Sequence, residues 1–197
     1  MKKIFVLILA FVSYISYGQD FDKNLATARA SYASGNLNDA RFAMEQMLSS
    51  LDITIGKEIL KMLPTKLNSL TSNDKDDNVT SSNGAGLFVH RTYGMDPKSA
   101  SVEVINNSPL ITSINAILSM PLMGAMVRND NQKVVKVQGY KALLNKNTDT
   151  TTGKTSYDLQ IPMNNTLVTL RVSDSSEDEV TSMAGNIPLS KIAQTAQ

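Results

Sequence analysis

The chain has no cysteine and no tryptophan, and its one histidine is His90. Without cysteine there is no disulfide framework, no thiol chemistry and no zinc site built on sulfur. A lone histidine also excludes a multi-histidine zinc centre within one chain. Neither sign of charge is in excess: 19 Lys and Arg stand against 18 Asp and Glu. A basic patch or stripe for nucleic acid is therefore not expected, nor is a polybasic run for anionic lipid. Long apolar runs are absent as well. The one at the N-terminus, Ile4 to Val12, is too short for a hydrocarbon core that takes about 20 residues to cross. It follows Lys2 and Lys3 and precedes the small residues of Ser16-Tyr17-Gly18. That is the three-part pattern of a secretory signal peptide, read here over residues 1–18. The mature chain is expected to begin near Gln19, to carry no transmembrane segment, and to reside in the periplasm or outside the cell. Cleavage would remove two lysines and no acid, turning the formal charge from +1 to −1.

Composition divides the remainder into a helical region (19–67), a polar stretch read as a disordered linker (68–86) and an alternating region (87–197). In the first, Phe21 to Ser34 is rich in Ala and ends at Gly35-Asn36, a helix-closing signal. Asn38 or Asp39 is expected to cap a second helix. There Ala40, Met44, Met47, Leu48 and Leu51 recur at three- and four-residue spacing and make one apolar stripe. A third helical piece is expected from Thr54 to Leu63, stopped by Pro64. The stretch from Asn68 to Gly86 holds few apolar side chains to offset its ordering entropy. Its Asn78-Val79-Thr80 matches a glycosylation acceptor and implies exposure.

The run Tyr32 to Arg41, with Gly35 at its turn, Ala40 as the small contact and Met44, Met47 and Leu48 following, resembles one tetratricopeptide unit. The resemblance covers about 30 residues. It departs from the repeat in lacking the Trp-Leu-Gly start and the closing Pro, where Asp52 stands. No second copy follows. The resemblance implies a helical hairpin over residues 21–52 that presents a face to a neighbour, because one repeat cannot bury its own face. A plain helical hairpin using the same turn chemistry is the alternative.

From Gly86 onward, β-branched and aromatic runs alternate with turn residues. Strands are expected at Gly86–Tyr93, Ala100–Ile105, 133–138, 140–144, around Tyr157–Ile161 and at Leu167–Val172. One helix is expected after Ser108-Pro109 and another after Ser175-Ser176, where Glu177, Asp178 and Glu179 suit the positive end. Short connections imply antiparallel pairing. The fold class expected is α+β: an N-terminal helical hairpin, a flexible linker, then a two-layer domain of antiparallel sheet packed on helices.

Candidate functional residues are few. His90, Arg91 and Tyr93 form the densest cluster, and strand alternation sets His90 on one face with Arg91 and Tyr93 on the other. Glu103, on the next strand, can reach His90 or Arg91. A general base needs such an orienting carboxylate, but no nucleophile motif accompanies the pair, and the reading preferred is a cross-strand surface pair. Gly153-Lys154-Thr155 lacks the first Gly of a phosphate loop and precedes a strand, so it is set aside. Met120, Met123 and Met126 form a thioether run; it reads as an adaptable apolar contact for a partner or small molecule, with Cu(I) as the soft-metal alternative. The acids at 174–179 cap a helix rather than ring a calcium ion. No cofactor is expected. The reading that results is a non-enzymatic envelope protein acting in protein–protein interaction, scaffolding or self-association. Its alternative is a periplasmic carrier for a lipid or other apolar molecule.

Overall fold

The structure, a computed structural model, describes residues 16–82, 86–120 and 131–196. It divides into two compact units between Thr54 and Ile55.

The first unit is a helical hairpin. Helix α1 spans Ser16–Ala33 and α2 spans Leu37–Met62, the last turns of which belong to the second unit. The signal-peptide reading falls almost wholly outside the described residues, and Gln19 lies in the first turn of α1. Gly35, at φ +79°, makes the turn between the helices, a backbone conformation that favours glycine. Asn36 caps α2: its Oδ1 accepts from the Asp39 backbone N–H at 3.3 Å while its amide donates to the Asp39 carboxylate. Asn38 and Asp39, expected as caps, sit inside the first turn instead. Among the described residues of the hairpin, Ala28, Ala40 and Ala43 are buried, all at 3 % exposure or less.

The second unit is α+β. Helix α2 runs unbroken past Asp52-Ile53-Thr54, where the sequence suggests two helices. A hairpin of two-residue strands, β1 (Lys66–Leu67) and β2 (Leu70–Thr71), follows. A 3₁₀ turn at Asp74–Asp76 leads to β3 (Asn78–Ser82). Then come β4 (Gly86–Met95), β5 (Lys98–Asn106), α3 (Leu110–Ser119), β6 (Gln132–Val137), β7 (Tyr140–Thr148), β8 (Thr155–Met163), β9 (Thr166–Val172), α4 (Glu177–Gly185) and α5 (Leu189–Thr195). Seven strands form one antiparallel sheet in the order β3-β4-β5-β9-β8-β7-β6. The crossing through α3 carries the chain from the centre to the far edge, and the meander β6 to β9 brings it back beside β5.

The segment 68–82 is therefore not a structureless linker. Its β3 is an edge strand paired with β4 from Asn78 to Ser82. Val79, its one aliphatic residue, packs on the main core. An edge strand needs apolar residues on one face at most, so its polar composition is compatible with pairing.

One face of the sheet holds the main core. Leu87, Val89 and Tyr93 of β4, Val102 and Val104 of β5, Leu159 and Ile161 of β8 and Val168 and Leu170 of β9 are at most 1 % exposed. They meet Ile59 of α2 and Leu63 just beyond its end, Val180 and Met183 of α4, and Leu189 and Ile192 of α5. Gly56 of α2 lies so close to the sheet that a Cβ there would stand 2.5 Å from Val79 Cγ1 and 2.6 Å from Leu87 Cδ1. Helix α3 lies on the opposite face, where Ile114 and Leu118 pack with Leu143 and Leu167 in a separate small cluster. Ser108 does not cap this helix; it is buried, and α3 starts after Pro109 without a side-chain cap. Helix α4 begins as its acids predict, with a capping box between Ser176 and Glu179.

Candidate functional site

Alternation along β4 splits its polar residues between two environments. Arg91 and Tyr93 point into the main core. Arg91 donates to both oxygens of Asp77, Nε to Oδ1 at 2.8 Å and Nη2 to Oδ2 at 2.6 Å, and its Nη1 donates to the Leu63 carbonyl at 3.2 Å. The Asp77 hydrogen bond is the main cause that raises the Arg91 pKa, against the opposing effect of burial. Tyr93 is fully buried and donates to the Pro64 carbonyl at 2.9 Å. Burial pushes its phenol up to about 12, with the positive Arg91 pulling the other way. Through these contacts both residues, candidate functional residues in the sequence, fasten the turn after α2 and the 3₁₀ segment to the sheet.

His90 sits on the outer face, among polar side chains of four adjacent strands. It is in register with Glu103 of β5, and Glu103 is in register with Thr169 of β9. Its Nδ1 lies 3.6 Å from Glu103 Oε1, beyond hydrogen-bond reach, and is buried without a hydrogen-bond partner. The imidazole stacks on Phe88, with centroids 6.1 Å apart and planes 9° from parallel. Glu103 accepts a hydrogen bond from Arg171 Nη1, and Arg171 Nε lies 3.7 Å from Asp158 Oδ1. Burial raises the Asp158 pKa, with the neighbouring Arg171 opposing. Gln132, Asn145 and Gln160 extend the polar row across β6, β7 and β8.

Glu103 thus reaches His90 and not Arg91. At 3.6 Å the carboxylate faces the imidazole without orienting it by a hydrogen bond, and no free hydroxyl is shown beside the ring among the described residues. Thr92 Oγ1 donates to Asp76, and Thr169 is buried at 3 % exposure. Among the described residues no group of three or more His, Asp or Glu is arranged to hold a metal ion. Arg171 and Asp158 do not stand out in the sequence; their signal is the outward positions they occupy on adjoining strands. A small cavity of about 80 Å³ opens among Asn131, Lys133, Leu144, Lys146, Tyr157 and Glu177. That is well short of the roughly 300 Å³ at which small-molecule sites begin. Met120 is exposed beyond the end of α3. Met123 and Met126 lie outside the described residues.

Among the described residues, a row of exposed apolar side chains lies on the hairpin. Leu37, Met44, Leu48 and Leu51 of α2 are exposed at 63, 49, 62 and 47 %. Their spacing of seven, four and three residues sets them on one face of the helix. This row is distinct from the Ala40 and Ala43 row that the hairpin buries. Met44 therefore faces outward and does not fill the hairpin's interior. Among the described residues no helix is long and apolar enough to cross a membrane.

Comparison with protein-family models, with curated proteins and with solved structures gives no match for this chain.

Proposed function

We propose that the chain is an exported, non-enzymatic interaction protein whose hairpin docks, in the manner of a single tetratricopeptide-like unit, onto an apolar helix of another polypeptide. The observation that carries this reading is the exposed row Leu37, Met44, Leu48 and Leu51. Side chains of this kind are normally scattered on a soluble surface. A contiguous row on one helix marks a contact surface. Mixed charges beside the row, Arg41, Glu45 and Asp52, suit a protein partner rather than an anionic membrane. Export rests on the three-part N-terminal pattern. The α4–α5 side of the sheet is filled by its own aliphatic residues, which favours interaction over carriage of an apolar molecule.

The test is cellular and native. Tagged wild-type chain is expected in the envelope fraction, with Gln19 as its N-terminal residue by mass spectrometry, and in a native complex larger than the chain alone. Leu48→Glu with Leu51→Glu should release it from that complex. A cytosolic chain that retains Met1 would refute export. A complex whose size ignores the double substitution would refute the docking role of the hairpin.

A further inference from the structure

One polar atom on the outer face of the sheet is left bare. Nδ1 of His90 is buried and has no hydrogen-bond partner, and among the described residues it alone is in that position. Buried polar atoms are nearly always satisfied, and a bare one costs its desolvation. A neutral imidazole does not relieve it. With Nδ1 as an acceptor, its lone pair faces the Glu103 carboxylate, which has no proton to give. With Nδ1 as a donor, its N–H faces that carboxylate across 3.6 Å, beyond hydrogen-bond reach. Two restraints hold the gap open. The ring lies nearly parallel to Phe88, with planes 9° apart. The oxygen it faces, Glu103 Oε1, is the same one that accepts from Arg171 Nη1 on the other side.

An imidazolium alters the contest for that oxygen. Both ring nitrogens then carry protons, and a positive charge stands 3.6 Å from the carboxylate. Closing to the ~2.8 Å of a charge-assisted hydrogen bond takes a movement of about 0.8 Å. Arg171 has a second acid to turn to. Asp158 is in register with it on β8, and Arg171 Nε already lies 3.7 Å from Asp158 Oδ1. The charged groups facing the imidazole are thus Glu103 from β5 and Arg171 from β9, with Asp158 of β8 beyond them. On the other side β3 sets the uncharged Asn78 in register with His90. From the 3₁₀ turn, Asp76 is engaged by Thr92. Helix α3 carries no charged residue.

We propose that His90, Glu103 and Arg171 form a proton-operated exchange: proton uptake by His90 draws Glu103 Oε1 onto Nδ1–H and passes Arg171 to Asp158. The proton comes from solvent, so no other reactant takes part. A change of charge on β4 is conveyed in this way across β5 and β9 to β8. Arg171 is half exposed, so the exchange re-aims a cation that the outer face presents to solvent. The device lies on the sheet and does not depend on the docking role of the hairpin.

The test uses the chain as it begins at Gln19, labelled with ¹⁵N and ¹³C and titrated by NMR from about pH 8 to about pH 5, where an ordinary imidazole changes charge. His90 is the one histidine, so its Cε1–H signal reports its charge state without overlap. Two changes are expected in step with that signal. Nδ1–H emerges as a sharp downfield resonance in the charged form only, and Arg171 Nε–H shifts with the same midpoint. His90→Gln should abolish the Arg171 response. Glu103→Gln should leave the imidazole titrating and remove both the downfield Nδ1–H and the Arg171 shift. Backbone amide signals of β8 and β9 show whether each variant is folded, and where a variant is not, the wild-type titration decides. Three results overturn the exchange. One is an Arg171 signal that stays still while His90 titrates. Another is a charged His90 without the downfield Nδ1–H. The third is an Arg171 response that persists in folded His90→Gln, which assigns it to the carboxylates instead.

Discussion

Asp77→Ala is the substitution that most directly tests how the second unit is held together. Asp77 and Arg91 are both largely inaccessible, with side chains 14 % and 9 % exposed, and they meet through two short hydrogen bonds. A bidentate carboxylate–guanidinium pair has the strongest geometry available to two such groups. Removing the carboxylate leaves a guanidinium that stays charged, retains its bond to the Leu63 carbonyl, loses its hydrogen-bonded counter-ion and keeps only the exposed Asp74 at 3.9 Å. Breaking a buried pair from one side costs about 3–5 kcal/mol. A large part of the usual 5–15 kcal/mol of domain stability would be lost. The companion Arg91→Leu removes the charge with the partner, so the double variant with Asp77→Ala should be less unstable than the two single losses added, by about 1–3 kcal/mol. Urea unfolding of the four chains gives the cycle. Native-state hydrogen exchange gives the location: amides of β3 should lose protection in Asp77→Ala before those of β8 and β9 do. A loss under about 1 kcal/mol, or β3 protection unchanged, would refute the idea that this pair anchors the segment between α2 and the sheet.

Gly56→Ala is expected to destabilise although it replaces glycine within a helix. The propensity gain of about 1 kcal/mol is set against overpacking of Val79 and Leu87 at 2.5 and 2.6 Å, which costs about 1–3 kcal/mol, and a raised melting temperature would contradict the close approach of α2 to the sheet. The Tyr93 phenol gives a pH prediction. Its folded pKa of about 12 stands above the ordinary value of 10.0, so the native state holds the proton more tightly. Its contribution is complete below pH 10 and is lost as pH rises toward 12. The loss is of order 2–3 kcal/mol at about 1.36 kcal/mol per unit. Tyr93→Phe should flatten the alkaline slope of stability measured by urea unfolding across that window; an unchanged slope would exclude a buried phenol here.

The strands of the second unit are largely legible because burial on one face writes a period of two into the sequence. Tyr157, Leu159 and Ile161 are inward and Asp158 and Gln160 outward, as alternation requires. The same rule separates His90 from Arg91 and Tyr93 on sequence alone. It cannot say which of them Glu103 meets, because that depends on register, and register places Glu103 opposite His90. Strand β3 is illegible for the complementary reason. It is a polar edge strand, and what orders it is remote in sequence: the β4 backbone and the Arg91–Asp77 pair. The sequence suggests a break before Thr54, yet α2 runs on through Gly56, the residue whose missing Cβ lets the helix come down on the sheet.

The hairpin shows the limit of periodicity most clearly. Ala40, Met44, Met47, Leu48 and Leu51 satisfy a helical spacing as one stripe, which on spacing alone a single partner would cover. At 3.6 residues per turn, such a stripe is wide enough to contain two adjoining rows. Helix α1 takes the narrow row, where alanines allow close approach, and Ala40 and Ala43 are at 3 % exposure or less. The bulkier row of Leu37, Met44, Leu48 and Leu51 is left in water. Full burial of a Leu or Met side chain stabilises by about 1.5–3 kcal/mol. At roughly half exposure, each of these four leaves a sizeable part of that unrealised in the lone chain. That unrealised burial is a driving force for association with a partner that covers the row.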